Sequence, residues 1–171
     1  MSRTDEQIGA LEHLNERHQL AAFDSGVPVL DEWLKKRAFA NEASGASRTY
    51  VVSAGRRVVG YYALATGAVA QREATGKVRR NMPDPIPVMV IGRLAVDTNY
   101  QRRGLGVALL RDAVVRTVEA AAIGGIRAIL LHAISEDARR FYEHCGFSQS
   151  PVDTMTLMIS VADAQKILNQ Q

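Results

Sequence analysis

The sequence has few of the features that stabilise small secreted proteins or carry a chain across a membrane. Its 171 residues include a single cysteine, Cys145, so no disulfide can form within the chain. No apolar run approaches the roughly 18 residues that a membrane span requires. The first residues, MSRTDEQIGA, lack the apolar stretch of a signal peptide. We therefore expect a soluble, cytoplasmic protein with no membrane partner.

A strong charge of one sign is also absent. The chain has 21 Lys and Arg against 18 Asp and Glu, a net charge of +3, and 47% of its residues are hydrophobic. This composition is typical of globular proteins and excludes disorder or a fibre as the main state. Repeats and low-complexity segments are missing too, so we expect one domain over residues 1–171. The slight basic excess permits an anionic partner without requiring one.

The first half of the chain changes from helical to strand periodicity. Apolar spacing predicts a short helix around 16–22 and a longer one over about 29–43. Residues 49–53 and 57–69 are rich in Val, Tyr and Thr and are separated by a turn, which predicts an antiparallel hairpin. Residues 71–87 contain three prolines and no periodicity, so we expect a long exposed loop there.

The second half predicts a parallel crossover. Residues 88–96 form an apolar run that is typical of a central strand, 104–123 have the pattern of a long helix, and 126–134 form a second apolar run. Two strands around one helix are parallel neighbours. A short helix over 136–145 with Ser135 as N-cap, two terminal strands and a final helix from about 162 complete an α/β fold with a mixed sheet.

The turn between the central strand and the long helix is the most informative segment. It reads Gln101-Arg102-Arg103-Gly104-Leu105-Gly106. Glycines let backbone N–H groups approach an anion, and the helix N-terminus adds positive partial charge, so a pyrophosphate fits there. The pattern is neither GxGxxG, because position 109 is Leu, nor a Walker A loop. The alternative is an ordinary turn without a ligand.

Two segments together resemble the GNAT acetyltransferases. IGRLAVDTNYQRRGLGVALL resembles the family's acetyl-CoA-binding motif, and SEDARRFYEHCGF resembles the motif that follows it, with Ser135 where many members have Asn. The resemblance implies antiparallel N-terminal strands, a parallel βαβ crossover and a splay between the central strands that admits acetyl-CoA. It implies these cofactor-binding residues: Leu94, Ala95, Val96, Gln101, Arg102, Arg103, Gly104, Leu105, Gly106 and Ser135.

A narrower resemblance is to the TacT-type toxins of bacterial toxin–antitoxin modules, over residues from about 23 to 159. It implies acetylation of the α-amine of aminoacyl-tRNA, which blocks translation, and neutralisation by a ribbon-helix-helix antitoxin. It also implies a homodimer. The alternatives are a GNAT enzyme that acetylates a small amine or a protein N-terminus, and a non-catalytic module that binds acyl-CoA or RNA.

Individual side chains have expected roles under this hypothesis. Tyr142 is the candidate acid that protonates the leaving thiolate, because a phenol is protonated at pH 7; its spacing alone also fits a core position. Arg93, in an apolar strand, either pairs with a buried carboxylate or faces an anionic substrate. Basic residues expected to contact tRNA phosphates, unless they form merely solvated faces, are Lys35, Lys36, Arg72, Lys77, Arg79 and Arg80.

The cysteine and the histidines are expected to have no catalytic or metal-binding role. Cys145 on the apolar stripe of its helix is expected to be a small buried hydrophobe. His132 lies inside a strand pattern and is expected to be a core histidine, the alternative being a side chain that faces the cleft. The four histidines have no ligand spacing, so no metal is expected. The residues suggest no general base.

Overall fold

The computed structural model describes residues 7–170, which form a mixed α/β fold around one seven-stranded sheet. The strand order is β1-β2-β3-β4-β5-β7-β6. The strands are β1 Glu12–His13, β2 Arg48–Ala54, β3 Arg57–Val69, β4 Ile86–Val96, β5 Ala128–His132, β6 Ser148–Gln149 and β7 Thr156–Ser160. The helices are α1 Pro28–Lys36, α2 Ala38–Ser44, α3 Gly76–Arg79, α4 Leu105–Gly124, α5 Glu136–His144 and α6 Val161–Asn169. The predicted fold class is confirmed.

The described residues divide into two units, and unit 1 comprises residues 7–65 and 93–113. Its strands β2 and β3 form the predicted antiparallel hairpin, with an irregularity between Val52 and Ser53. Helix α1 begins at a proline, which suits the first helical turn, and α2 ends at Gly45 with a left-handed φ of 79°. The core of this unit gathers Phe23, Trp33, Leu34, Tyr61 and their apolar neighbours.

Unit 2 comprises residues 66–92 and 114–170. Strands β4 and β5 are parallel, from Val88 opposite Ala128 to Ile91 opposite Leu131, as the crossover pattern predicts. Strand β5 also pairs with β7 in the antiparallel sense. The Ser135 hydroxyl accepts a hydrogen bond from the Ala138 N–H at 3.1 Å, which confirms the predicted N-cap of α5.

Three local predictions were wrong. Residues 16–22 are not helical, because Gln19 uses its backbone across the hairpin: its N–H bonds to the Arg56 carbonyl at 2.7 Å and its carbonyl accepts from the Val58 N–H at 3.0 Å. The helix predicted over 29–43 is two helices, because Arg37 has a non-helical φ of −121°. The loop predicted over 71–87 contains a 3₁₀ turn, α3 and the start of β4.

The segment before β4 is held down by its own apolar side chains. Ala74 and Val78 have exposed fractions of 0%, and they pack with Ile86 and Val88 in the core of unit 2. This burial explains why the segment folds although its periodicity is weak. None of the described helices is long and apolar enough to cross a membrane.

Candidate functional site

The turn that precedes α4 is anchored in unit 1 by polar side chains. Asp97 is buried, and its carboxylate accepts from the Asn99 N–H at 3.0 Å and from the Asp24 N–H at 3.1 Å. The Gln101 side-chain amide donates to the Val96 carbonyl at 2.9 Å and to the Ser25 carbonyl at 3.1 Å. The Gln101 amide nitrogen thus holds the turn in place, which is a positioning role.

The backbone of the turn adopts conformations that expose its N–H groups. Arg102 has a φ of 64° and Gly104 a φ of 83°, both in the left-handed region. The first backbone bond of α4 runs from the Ala108 N–H to the Gly104 carbonyl at 3.1 Å. The N–H groups of residues 105–107 therefore have no acceptor within the helix, and they lie at its positive end. Such a terminus binds an anion such as a pyrophosphate.

An aromatic ring supports the cationic side of the turn. Tyr100 is buried, with an exposed fraction of 1%, and its hydroxyl accepts a hydrogen bond from Arg57 at 2.8 Å. The guanidinium of Arg103 lies 5.1 Å from the centroid of the same ring. This cation–π contact restrains the exposed Arg103 beside the helix N-terminus, where its charge favours a phosphate.

Arg93 stacks on an aromatic ring and, among the described residues, has no carboxylate partner. Its guanidinium carbon lies 4.4 Å from the Trp33 ring centroid. Trp33 in turn stacks on Tyr61, with ring centroids 6.0 Å apart and planes 8° from parallel. Of the two alternatives for Arg93, the structure therefore disfavours a buried carboxylate pair. The half-buried guanidinium thus has hydrogen-bond donors that no carboxylate among the described residues uses.

Strand β4 continues beyond its pairing with β5. The last paired residues are Ile91 and Leu131, whereas β4 runs on to Val96. Ala95 is buried, and Leu94 and Val96 are half-buried. Beyond Ile91, β4 therefore has no paired residues on the β5 side, where its backbone groups need other hydrogen-bond partners. The pattern therefore agrees with the expected splay of the central strands.

Tyr142 lies on α5 in unit 2, where it contacts two phenylalanines. Its ring centroid is 5.3 Å from that of Phe141 and 6.2 Å from that of Phe147. Burial raises the pKa of Tyr142 to about 12, and the nearby Cys145 acts in the same direction. Within residues 7–170 its hydroxyl forms no hydrogen bond. The apolar surroundings thus keep the Tyr142 phenol protonated, and its hydroxyl can donate a hydrogen bond to a ligand.

Cys145 does not have the properties of a nucleophile. It is half-buried rather than fully buried, and burial raises the pKa of its thiol. Because the thiolate is the reactive form, a raised pKa makes Cys145 a poor nucleophile at neutral pH. No group of three or more His, Cys, Asp or Glu side chains in the described part of the chain could hold a metal ion.

The candidate site residues are distributed over both units. Unit 1 contains Lys35, Lys36, Arg93, Leu94, Ala95, Val96 and the turn Gln101–Gly106. Unit 2 contains Arg72, Lys77, Arg79, Arg80, Ser135 and Tyr142. The basic side chains are exposed, and two have weak ion pairs: Lys36 with Glu32 at 3.9 Å and Lys77 with Asp163 at 3.3 Å.

Arg127 is a residue that the sequence patterns did not single out. Its guanidinium donates to the carbonyls of Val78 at 3.0 Å, Lys77 at 2.8 Å and Arg80 at 3.4 Å. It therefore caps the C-terminal end of α3, which is the short helix that carries Lys77 and Arg79. In the sequence, Arg127 is a single arginine at the start of a strand pattern, and such a position does not indicate a capping contact.

We expect Arg127→Met to loosen the segment 76–80 while leaving the fold intact. The variant loses charge-assisted hydrogen bonds worth about 1.5–3 kcal/mol each when buried, and less here because the site is partly exposed. Amide hydrogen exchange should rise at residues 76–80, with Arg127→Lys showing a smaller rise. Unchanged exchange in Arg127→Met would contradict the capping role.

Comparison with known proteins agrees with this geometry. Residues 45–149 match the model of the acetyltransferase (GNAT) domain. A tRNA-acetylating toxin of Mycobacterium tuberculosis is 50% identical over 155 residues, which cover 91% of this chain and 93% of the relative. AtaT complexed with acetyl-methionyl-tRNAfMet is 24% identical, with a TM-score of 0.86 over 95% of this chain and 99% of that chain.

A second solved structure shows the same fold. It contains a tyrosine-to-phenylalanine mutant of the toxin AtaT, bound to the C-terminus of the antitoxin AtaR and to acetyl-CoA. It is 24% identical, with a TM-score of 0.81 over 96% of this chain and 99% of that chain. Taken with the match over residues 45–149 and the 50% identical relative, the fold and the two sequence motifs have one explanation: this chain belongs to the GNAT acetyltransferase family.

Proposed function

We propose that this chain is a toxin that transfers the acetyl group of acetyl-CoA to the α-amine of aminoacyl-tRNA and so blocks translation. The observation that carries the proposal is the 50% identity to a tRNA-acetylating toxin over 91% of the chain. The reaction needs an amine nucleophile, an activated acyl group and an acid, but no covalent enzyme intermediate.

The fit of acetyl-CoA rests on the helix N-terminus in unit 1. The left-handed Gly104 and the free N–H groups of residues 105–107 suit a diphosphate, and Arg102 and Arg103 add positive charge. The backbone of residues 94–96 suits the amides of a pantetheine arm, and the Ser135 hydroxyl is exposed for one further hydrogen bond. When bound, acetyl-CoA supplies the activated acyl carbon.

Tyr142 is the acid in this proposal. A protonated phenol donates a proton to the sulfur on which negative charge develops, and the raised pKa keeps that proton in place. Phe141 and Phe147 both contact the ring, so the hydroxyl is positioned by packing rather than by another polar group. Arg93, oriented by Trp33, binds an anionic part of the acceptor.

The basic residues Lys35, Lys36, Arg72, Lys77, Arg79 and Arg80 supply phosphate contacts in the proposal. If four of them neutralise tRNA phosphates, affinity falls by about 10²-fold between 50 and 200 mM salt. We expect the KM for aminoacyl-tRNA to rise accordingly, while the Kd of acetyl-CoA changes much less. Steady-state kinetics at several salt concentrations measure both, and a salt-independent KM would show that these side chains are only solvated.

The direct test uses charged tRNA and labelled acetyl-CoA. The proposal expects label on the α-amine of the aminoacyl group, released as an N-acetyl amino acid after mild base hydrolysis. Label on uncharged tRNA, on polyamines or on a protein N-terminus instead would overturn the choice of acceptor. Absence of any transfer, with acetyl-CoA still bound, would indicate a non-catalytic binding module.

The proposal extends to the partners and the compartment. A ribbon-helix-helix antitoxin neutralises the toxin, the toxin is a homodimer, and both act in the cytoplasm. An antitoxin partner is supported by the solved structure in which AtaT is bound to the C-terminus of its antitoxin. The antitoxin type, the homodimer and the compartment rest on the family resemblance alone. Co-expression with a candidate ribbon-helix-helix antitoxin, followed by mass measurement in solution, tests the first two points.

A further inference from the structure

Unit 2 contains a cavity of about 330 Å³ whose charged lining groups are acidic. Its walls include Val88 and Val90 of β4, Leu130 of β5 and the carboxylate-bearing residues Glu73 and Asp153. None of the described residues that line it is Lys or Arg. A cavity with this lining favours a cation and disfavours a phosphate-bearing ligand.

His132 enters the same cavity at the end of β5. It is exposed and is not the core histidine that the strand pattern predicts. Leu131, the residue before it, is the last residue of β5 that pairs with β4. His132 therefore lies where the two parallel strands stop pairing.

A chain of hydrogen bonds determines which nitrogen of His132 carries the proton. The His132 Nδ1 lies 2.8 Å from the Thr156 Oγ1, and the Thr156 hydroxyl donates to the Asp153 Oδ2 at 2.8 Å. A hydroxyl has one hydrogen, so the Thr156 oxygen can only accept from His132. The Nδ1 therefore carries the proton of the neutral ring, and the Nε2 has a free lone pair.

Asp153 is held in the ionised state that this series of hydrogen bonds requires. Its Oδ1 accepts from the Met155 N–H at 2.9 Å, and this bond and the Thr156 hydroxyl are the main causes of a lowered pKa of its carboxyl. An ionised carboxylate cannot donate, which fixes the direction of the Thr156 hydrogen bond. Among residues 7–170, no group is hydrogen-bonded to the His132 Nε2.

We propose that this cavity receives the ammonium group of the acceptor and that the His132 Nε2 removes its proton, with Thr156 and Asp153 as positioning residues. The inference rests on the proposed function and deepens it, because it names the group that makes the acceptor nucleophilic. An aminoacyl α-ammonium group is a cation, which the carboxylates of Glu73 and Asp153 attract. Its nitrogen has no lone pair until a proton leaves.

The protons of the reaction balance. One proton of the ammonium group passes to the His132 Nε2, and the freed electron pair forms the C–N bond to the acyl carbon as the C–S bond breaks. The thiolate takes the Tyr142 proton, and the second proton of the attacking nitrogen returns to the Tyr142 oxygen through solvent. The imidazolium of His132 then loses its proton to water, so that one proton is released per turnover.

The test is chemical rescue of His132→Ala. We expect its kcat with aminoacyl-tRNA to fall by about 10²–10⁴-fold, while its Kd for acetyl-CoA stays unchanged. Added imidazole should then raise the kcat of His132→Ala at least tenfold. His132→Gln, which fills the space without a base, should be equally slow but not respond to imidazole. Thr156→Val should lower kcat by about tenfold without changing the KM for aminoacyl-tRNA, because it removes only the bond that orients the ring.

Each outcome separates the inference from the proposed function. If the wild type does not acetylate aminoacyl-tRNA, the proposed function fails. If the wild type does and His132→Ala retains its rate, the inference alone is overturned. A loss in His132→Ala that imidazole does not restore, with acetyl-CoA binding intact, assigns His132 a structural role and also overturns the inference.

Discussion

The Tyr142→Phe variant should lose acetyl transfer while still binding acetyl-CoA. Phenylalanine keeps the ring contacts with Phe141 and Phe147, so packing on α5 changes little. Only the hydroxyl is removed, and general acid catalysis typically contributes about 10²–10⁴ in rate. We therefore expect kcat to fall by about that factor, measured as N-acetylation of charged tRNA, with the Kd of acetyl-CoA within about twofold of the wild type.

A matched control removes a hydroxyl elsewhere. Tyr50→Phe makes the same chemical change at a half-buried tyrosine of β2 in unit 1, and we expect it to retain transfer. Equal turnover in Tyr142→Phe and the wild type would refute the acid role. A loss accompanied by a lower melting temperature would instead point to packing.

The pKa of Tyr142 adds a pH signature. Because burial raises it to about 12, the phenol stays protonated as the pH rises through 10, the ordinary value for tyrosine. Loss of the Tyr142 proton should therefore not reduce kcat between pH 8 and 10. The raised pKa of Tyr142 also affects the free energy of unfolding. It favours the folded state below pH 10, and this contribution is lost as the pH rises towards 12.

The second large effect is expected at Gly104, in acetyl-CoA binding. Its φ of 83° is disfavoured for a residue with a side chain, and a β-branched residue is a severe outlier there. An added Cβ would meet nothing within 4 Å, so strain, not a clash, is the cause. For a residue with a side chain, the left-handed conformation costs about 1–2 kcal/mol. A turn that relaxes to avoid this cost moves its N–H groups away from the diphosphate.

We expect Gly104→Val to raise the Kd of acetyl-CoA by about 5–30-fold, because about 1–2 kcal/mol of strain converts at a factor of about ten for each 1.4 kcal/mol. Gly124→Val is the control, because Gly124 is the last residue of α4 and an added Cβ there also meets nothing within 4 Å. Isothermal titration of both variants measures the difference. Similar affinities in the two would show that the turn does not bind the diphosphate.

Much of the fold follows from local patterns. The β2–β3 hairpin, the β4–α4–β5 crossover and the Ser135 N-cap are confirmed, because strand alternation, helical spacing and capping act between residues close in sequence. The helix predicted over 16–22 failed because backbone bonds to a distant strand outweigh weak helical spacing. The site roles and the single-domain extent over 1–171 stay predictions.

By itself, the sequence determined the β2–β3 hairpin, the β4–α4–β5 crossover and the place of the two GNAT motifs. Only the tertiary structure decided that Arg93 stacks on Trp33, that the Gln101 amide is engaged by Ser25 and Val96, and that His132 contacts Thr156. These partners are separated along the chain by up to 76 residues. No periodicity relates positions so far apart, so their contacts arise only when packing brings the strands and loops together.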